Sequence, residues 1–292
     1  NMYKILSVLF LLVSTVLGVP KSVYFYYNTL HIQAGFSIIA NNVIPEKSAI
    51  DKVIINPPIG TTIYKLVNGT YKIYWFDPEM DDGWSELDSD ATFGLGEAVY
   101  IFTPAKFDLT LAGTVSCGMN TTTISNGFTL LGSKTPVGGL IMNEMVLNPN
   151  HNDTIYIQNP SCNSFTTYIF QDTLLPHWEP NEPILGQNMG FFYHGGEITI
   201  WNQPLILPNL LKTPRPSVIR NIGDAFGLGN GAFTLQVGIE IKTGERVSFA
   251  HSEDLSHWEN FEAYGPFSGT SFVAAYLTKT PIDKGYIRVN IY

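Results

Sequence analysis

Charged residues are scarce in this sequence, and basic residues are the scarcer kind. Charged side chains make up 14% of the 292 residues, with 16 Lys and Arg against 25 Asp and Glu, for a net charge of −9. An ordinary soluble domain is about 25% charged. Binding to a nucleic-acid backbone depends on clustered lysine and arginine, and no stretch of this chain contains such a cluster. The composition therefore argues against a nucleic-acid partner.

Cysteine is rare as well, since Cys117 and Cys162 are the only two in the chain. No histidine lies near them at a spacing typical of zinc ligands, so they form no recognisable metal site. In an oxidising compartment such a pair predicts a disulfide, and two free buried thiols are the alternative.

Hydrophobic runs are long only at the N-terminus. There, Lys4 precedes an apolar run at positions 5–17, and Gly18 follows it. This is the layout of a secretory signal peptide. We therefore predict that residues 1–18 are a signal peptide and that the protein is secreted or displayed on the cell surface. The run is shorter than the roughly 20 residues of a membrane-spanning helix. An uncleaved N-terminal segment is the alternative, and it would provide the chain's link to a membrane.

Three glycosylation sequons of the form Asn-x-Ser/Thr begin at Asn68, Asn120 and Asn152. They lie in sequence contexts typical of turns, and they predict glycans in a host that has the machinery. Sequons also arise by chance in a chain rich in asparagine and threonine.

Aromatic residues are abundant, with 15 Tyr, 18 Phe and 5 Trp, and 26 Gly and 18 Pro supply turn residues. Aromatic and β-branched residues favour strands, and Gly and Pro punctuate them with turns. The composition therefore predicts a mainly-β protein. With 45% apolar residues, a chain of this length can form more than one core.

The sequence repeats itself internally at an offset of 92 residues. The segment Gly35-Phe36-Ser37-Ile38-Ile39 returns as Gly127-Phe128-Thr129-Leu130-Leu131. Asn-Pro at positions 56–57 returns at 148–149, and Thr-Ile-Tyr at 62–64 returns at 154–156. Trp84 and Trp178 differ by 94, which indicates a two-residue insertion before the second tryptophan. Self-similarity of this kind predicts two copies of one structural unit.

Alternating apolar and polar residues predict the strands of these units. In the first unit they are 23–32, 36–40, 60–67, 70–76, 98–102 and 107–115, with a helix-like spacing at 49–55. Near the C-terminus they are 233–241, 246–251, 271–277 and 285–291. We predict two tandem antiparallel meander or barrel-like repeats, at 19–116 and 117–207. A proline-rich linker at 208–216 and an immunoglobulin-like β-sandwich at 217–292 complete the chain.

Several of these segments resemble a known repeat. GFSIIAN (35–41), TTIYKL (61–66), a tryptophan in an acidic loop and GLGEAVYIF (94–102) are similar to a functionally uncharacterised tandem repeat of secreted proteins from planctomycete- and verrucomicrobial-type bacteria. SEDLSHW (252–258) and the closing GYIRVNIY (285–292) resemble a β-sandwich that often ends such proteins. The second copy departs from the pattern, with Gly132-Ser133 in place of Ala-Asn and Gln187-Asn188-Met189 in the glycine turn. The resemblance implies secretion and a β architecture, and it implies no catalytic residue.

An acidic loop between positions 77 and 90 is the strongest candidate for a metal site in the sequence. Carboxylates on a flexible loop suit calcium, although the spacing does not match an EF-hand. The equivalent loop of the second copy, 171–183, has fewer acids, which favours solvated loop carboxylates as the alternative. The weak calcium candidates are Asp77, Asp81, Asp82, Asp88 and Asp90.

The tryptophans are the remaining candidates. Trp84, Trp178 and Trp258 lie at equivalent or motif positions, which predicts core packing. Trp75 and Trp201 lie on predicted strand faces, where an exposed ring could stack on a sugar, with core packing as the alternative.

The sequence contains no recognisable catalytic triad, phosphate loop or required cofactor. We expect a non-enzymatic exported protein that acts by surface assembly, adhesion or scaffolding. Low charge leaves strand edges weakly protected against pairing between copies. The alternative is a module that binds extracellular polysaccharide. A polysaccharide hydrolase would need two carboxyl groups facing one cleft.

Overall fold

The structure, a computed structural model, describes residues 21–80, 83–85, 87–159, 164–205, 217–222, 233–241, 245–252, 257–264, 271–279 and 284–291. Within these residues it contains twenty-one strands and one helix of four residues, so the mainly-β prediction is confirmed. The predicted signal peptide (1–18), the predicted linker (208–216) and Cys162 lie outside the described residues.

The elements of the first part of the chain are β1 (Lys21–Ile32), β2 (Gly35–Ala40), α1 (Ile50–Val53), β3 (Thr62–Val67), β4 (Thr70–Trp75), β5 (Ala98–Thr103) and β6 (Phe107–Thr114). The middle part contains β7 (Gly118–Ile124), β8 (Gly127–Leu131), β9 (Gly139–Leu140), β10 (Thr154–Gln158), β11 (Phe165–Gln171), β12 (His177–Glu179), β13 (Ile184–Leu185), β14 (Phe191–Gly195) and β15 (Thr199–Leu205). The last part contains β16 (Ser217–Ile222), β17 (Phe233–Ile241), β18 (Val247–Ser252), β19 (Glu259–Tyr264), β20 (Ser271–Lys279) and β21 (Lys284–Ile291).

The first repeat forms an antiparallel sheet with the strand order β2-β5-β3-β4. Asn68 and Gly69 make the turn between β3 and β4, with φ angles of 50° and 78°. Asparagine and glycine accept these positive φ values most readily, which explains why this dipeptide forms the tight hairpin. One face of the sheet covers a core that includes Ile63, Ile101 and Trp84.

The second repeat has the same strand order, β8-β14-β10-β11, extended by β12. Its register is also the same at the 92-residue offset. Gly35 pairs with Thr103 in the first sheet, and Gly127 pairs with Gly195 in the second. The two-residue insertion is visible too, because the Phe76–Trp84 pair becomes Phe170–Trp178. The ring centroids are 5.5 Å apart in the first pair and 5.4 Å in the second.

Trp84 and Trp178 are 5% and 2% exposed, so their predicted core packing is confirmed. Both belong to their own repeat's apolar core. Trp258 is half-buried, with its ring in an edge-on contact with Tyr24 and the Arg288 guanidinium 4.4 Å from its centroid.

The pairing of the N-terminal strand with β6 also recurs in the second copy. Ile32 of β1 pairs with Phe107 of β6, and Ile124 of β7 pairs with Thr199 of β15. Both partners shift by 92 residues, so the β1–β6 ladder is the equivalent of the β7–β15 ladder. The strand predicted at 23–32 therefore has its equivalent in β7 of the second copy.

The two repeats contact each other through a pseudo-two-fold arrangement. Ala40 N donates to Asn188 O at 2.8 Å, and Gly132 N donates to Gly96 O at 3.2 Å. Adding 92 to 40 gives 132, and subtracting 92 from 188 gives 96, so each bond is the symmetry equivalent of the other. The isolated bridges Ile39–Met189 and Glu97–Leu131 are related by the same exchange. Reciprocal contacts of this kind are the property of an isologous dimer interface, here made within one chain.

Ala40 and Gly132 are equivalent residues that face each other at this contact. A Cβ atom added at Gly132 would overlap the Cβ of Ala40. A residue near a two-fold axis meets its own equivalent, and here only one of the two can carry a methyl group. This packing explains why the second copy departs from the Ala-Asn pattern at Gly132.

A third assembly of strands joins the two ends of the chain. The N-terminal strand β1 pairs with β21 as well as with β6, giving a five-stranded sheet with the order β19-β18-β21-β1-β6. This sheet crosses the boundary that the sequence suggested between the first repeat and the C-terminal unit. Inside it, the Tyr27 hydroxyl lies 3.0 Å from His251 Nε2, and both residues are buried. Strands β16, β17 and β20 form a separate three-stranded sheet.

Among the residues described, no helix has the length and hydropathy of a membrane-crossing segment.

We expect Gly132→Ala to lower the free energy of unfolding by about 1–3 kcal/mol, because the added methyl group overpacks the contact with Ala40. Moving the methyl group to the other copy, in the double variant Ala40→Gly/Gly132→Ala, should restore most of that loss. Urea unfolding followed by tryptophan fluorescence measures both effects. If the single variant is as stable as the unmodified chain, the tight contact is not present in solution.

Candidate functional site

The predicted calcium loop is organised around a lysine. Lys72 Nζ lies 2.6 Å from Asp88 Oδ2 and 2.5 Å from Asp90 Oδ2. The Lys72 ammonium, with a hydrogen bond from the Tyr74 hydroxyl, lowers the pKa of Asp88 to about 2. The ammonium therefore occupies the position between the two carboxylates that a bound cation would need.

The remaining calcium candidates do not join this pair in the part of the loop that is described. Asp77 accepts a hydrogen bond from the Glu79 backbone N–H at 3.0 Å. Asp81 and Asp82 lie outside the described residues. Within the described residues, no group of three or more His, Cys, Asp or Glu side chains could hold a metal ion.

Cys117 carries a free thiol in this structure. Its Sγ donates to Val115 O at 3.6 Å, and burial raises the pKa of the thiol to about 11. Cys162, its partner in the predicted disulfide, lies outside the described residues.

The three sequons differ in accessibility. Asn68 and Asn152 are exposed, and both have positive φ, at 50° and 67°. Asn120 is 6% exposed, and its amide donates to Ser116 O at 2.9 Å. A glycan at Asn120 is incompatible with this packing, whereas the other two positions have room for one.

The two tryptophans proposed to stack on sugars differ in their exposure to solvent. Trp201 is fully buried, and its Nε1 donates to Met145 O at 2.7 Å. Its ring is therefore inaccessible to a sugar. Trp75 is 45% exposed on the outer face of β4.

An aromatic cluster covers the outer face of the first repeat's sheet. The Phe36 ring stacks on Tyr100 at 4.9 Å between centroids, and Tyr64 lies 6.1 Å from Phe36. Tyr71 continues the cluster with an edge-on contact to Tyr64 at 6.4 Å. Burial, and then the nearby Tyr100, raise the pKa of the Tyr71 hydroxyl.

The second repeat keeps this cluster at equivalent positions. Phe128 replaces Phe36, Tyr156 replaces Tyr64, Phe165 replaces Tyr71, and Phe192 replaces Tyr100. The Phe128 and Tyr156 ring centroids are 5.7 Å apart, and those of Phe165 and Phe192 are 5.9 Å apart. Outward-facing rings have thus persisted in both copies while much of the surrounding sequence changed.

A groove runs between the two repeats, and we name it the aromatic groove. It has a volume of about 390 Å³. Its lining residues are Leu66, Gly69 and Tyr71 from the first repeat and Phe128, Tyr156, Phe165 and Phe192 from the second. Apart from the tyrosine hydroxyls, the lining side chains are apolar, whereas a sugar needs several polar groups to fix its hydroxyls. The groove therefore suits an apolar partner better than a polysaccharide.

A larger cleft of about 650 Å³ lies between the segment 29–39, which connects β1 to β2, and the loop 187–190. Several of its polar groups already bind within the chain. Gln158 Nε2 donates to Phe36 O at 3.0 Å, and Asn188 Nδ2 donates to Ala40 O at 3.1 Å. This cleft is part of the junction between the repeats.

The aromatic groove was not predicted from the sequence, although the sequence contains a signal for it. The period-two aromatics of the first copy return on the same strand face in the second copy. That pattern shows that the rings share a face, but it does not show that the hairpin of the other repeat lies beside them.

No protein-family model, curated protein or solved structure matches this chain.

The free Cys117 thiol should react slowly with iodoacetamide. In a Cys162→Ala variant at pH 8, we expect a rate roughly 100-fold below that of a peptide cysteine, because only the thiolate reacts and a thiol of pKa about 11 is rarely ionised there. The rate should rise as the pH approaches 11. Mass spectrometry follows the reaction, and the same variant unfolded in urea is the control. Peptide-like reactivity in the folded variant would show that the thiol is not buried.

Proposed function

We propose that this chain is a non-enzymatic structural protein of the cell surface or extracellular matrix, which associates with copies of itself through the outer faces of its repeats. Secretion stays a prediction from the N-terminal segment and the family resemblance. The proposed role requires no catalytic residue, cofactor or nucleic acid.

The observation that carries the proposal is the outer face of β4. Tyr71, Ile73 and Trp75 alternate along this strand and are 44%, 50% and 45% exposed. Contiguous exposed apolar side chains on a soluble protein mark an interaction surface more often than isolated ones do. Tyr71 also lines the aromatic groove, so the surface is continuous with it.

The edge of β4 supports the same conclusion. β4 is the last strand of its sheet, and at its end Ser85 N donates to Trp75 O at 2.8 Å. An edge strand with unpaired backbone groups can pair with another chain unless charge or proline prevents it. Lys72 is the charged residue on β4, and its ammonium is already bound by Asp88 and Asp90.

Carbohydrate binding is the second candidate, and Trp75 is the observation that favours it. Its half-exposed ring lies on the same strand face as Tyr71, and aromatic rings of this kind stack on sugars. The largely apolar lining of the adjacent groove is the reason we rank this function second.

We expect light scattering over a dilution series to show a mass that rises with concentration. In the variant Ile73→Lys/Trp75→Lys, association should weaken by about tenfold or more, since each buried side chain of this size contributes about 1.5–3 kcal/mol. Thr123→Lys/Asn202→Lys, on exposed positions of β7 and β15, adds the same charge as a control. If the chain stays monomeric at all concentrations and is retained on a polysaccharide matrix through Trp75, self-association is wrong and carbohydrate binding takes its place.

A further inference from the structure

Two adjacent leucines are highly exposed to solvent at the turn between β11 and β12. Leu174 is 97% exposed and Leu175 is 77% exposed. A single exposed leucine is unremarkable, but two neighbouring ones at the end of a hairpin expose apolar surface that the fold itself does not use. We name residues 173–176 the leucine tip.

The leucine tip is held in place by hydrogen bonds. Thr173 Oγ1 donates to Leu175 O at 3.2 Å, and the His177 ring N–H donates from Nδ1 to the same carbonyl at 2.9 Å. Asp172 N donates to His151 Nδ1 at 3.1 Å at the base of the turn. A turn that is ordered in advance loses little conformational entropy when it binds, which favours its use as a contact.

The leucine tip is specific to the second copy. At the equivalent turn of the first copy, 94 residues earlier, Met80 corresponds to Leu174 and Asp81 corresponds to Leu175, with Glu79 and Asp82 on either side. The repeat fold therefore does not require two adjacent apolar residues at this turn. The difference also supplies an internal control, because an acidic turn is not suited to an apolar groove.

We propose that the leucine tip of one copy inserts into the aromatic groove of a second copy. This inference rests on the proposed self-association and names the surfaces that make it. The groove offers the largely apolar lining that two leucine side chains need, and its rings remain partly open to solvent, with Phe128 59% exposed.

The tip cannot reach the groove of its own chain. Phe165, which lines the groove, starts β11, and the tip follows the end of the same strand. At about 3.3 Å per residue, the seven residues of β11 separate the two by roughly 20 Å. Both ends belong to a hydrogen-bonded sheet, so the hairpin cannot fold back. The partner must be another copy.

A tip-in-groove contact joins two different surfaces, so it is heterologous. Each copy carries one tip and one groove, and such contacts continue into open chains unless the rotation closes a ring. One tip buries less area than the roughly 1,200–2,000 Å² of a stable interface, so each contact is weak. Because every copy has a net charge of −9, salt should strengthen the association by screening repulsion between copies.

The test uses one variant that lacks the tip and one that lacks the groove. Leu174→Ser/Leu175→Ser removes the tip, and Phe128→Lys places a charge in the groove. Glu79→Ser, an exposed position in the equivalent turn of the first copy, is the control. We expect each of the first two variants to associate at least about 100-fold more weakly than the unmodified chain, and the control to associate normally. All the changed side chains are exposed, and circular dichroism confirms that each variant is folded.

Mixing the two variants is the decisive measurement. The groove of the tip variant and the tip of the groove variant are intact, so an equimolar mixture should form dimers and stop there. Light scattering should show a larger fraction of dimers at about 0.5 M sodium chloride than at low salt. A mixture that stays monomeric, or single variants that assemble like the unmodified chain, would overturn the proposal.

The outcomes also separate this proposal from the broader one. If the tip and groove variants assemble normally while Ile73→Lys/Trp75→Lys does not, the tip-in-groove contact is wrong and self-association stands. If the unmodified chain is monomeric throughout, both are wrong.

Discussion

The reciprocal contact between the two repeats is the constraint on which the rest of this structure depends. Two backbone hydrogen bonds, from Ala40 to Asn188 and from Gly132 to Gly96, relate the copies by a pseudo-two-fold axis. The amide of Asn188 reinforces the contact, since it donates to Ala40 O and to Asn42 Oδ1 and accepts from Asn28. Alanine at both positions 40 and 132 is excluded, because a Cβ atom added at Gly132 would overlap the Cβ of Ala40. The second copy had to differ where it meets the first.

That divergence extends to the grooves on either side of the junction. Leu66 lines the aromatic groove, and its equivalent in the second copy is Gln158. Gln158 does not mirror Leu66, because its amide binds Phe36 O across the junction and lies in the more polar cleft. One exchange of an apolar for a polar residue thus makes one side of the junction a polar internal contact. The other side stays open and lined by aromatic rings.

The sequence predicted the strands well because the period-two pattern and the Asn68-Gly69 turn are local signals. It could not tell the inner face of a strand from the outer one where both carry apolar residues. In β15, Trp201 is buried while Ile200 beside it is 46% exposed, so hydropathy alone gave no basis for excluding Trp201 as a surface residue. Asn120 is a similar case, since its burial depends on pairing with a strand more than 80 residues away. The aromatic groove could not be predicted for the same reason, because it forms only when the sheets of the two repeats lie beside each other.

The way the copies diverged bears on how such a protein can assemble. Two identical repeats would carry identical turns and identical grooves, and any contact between copies would have several competing registers. Here the turn of the first copy is mainly acidic, the turn of the second exposes two leucines, and the aromatic groove combines Leu66 of the first copy with Phe128 of the second. A protein with one leucine tip and one aromatic groove forms contacts in which its two ends are different, so a chain of copies is polar. A symmetric duplicate lacks this property. The steric requirement at the pseudo-two-fold axis and the polarity of the proposed assembly therefore share one physical basis, the loss of equivalence between two copies of the same fold.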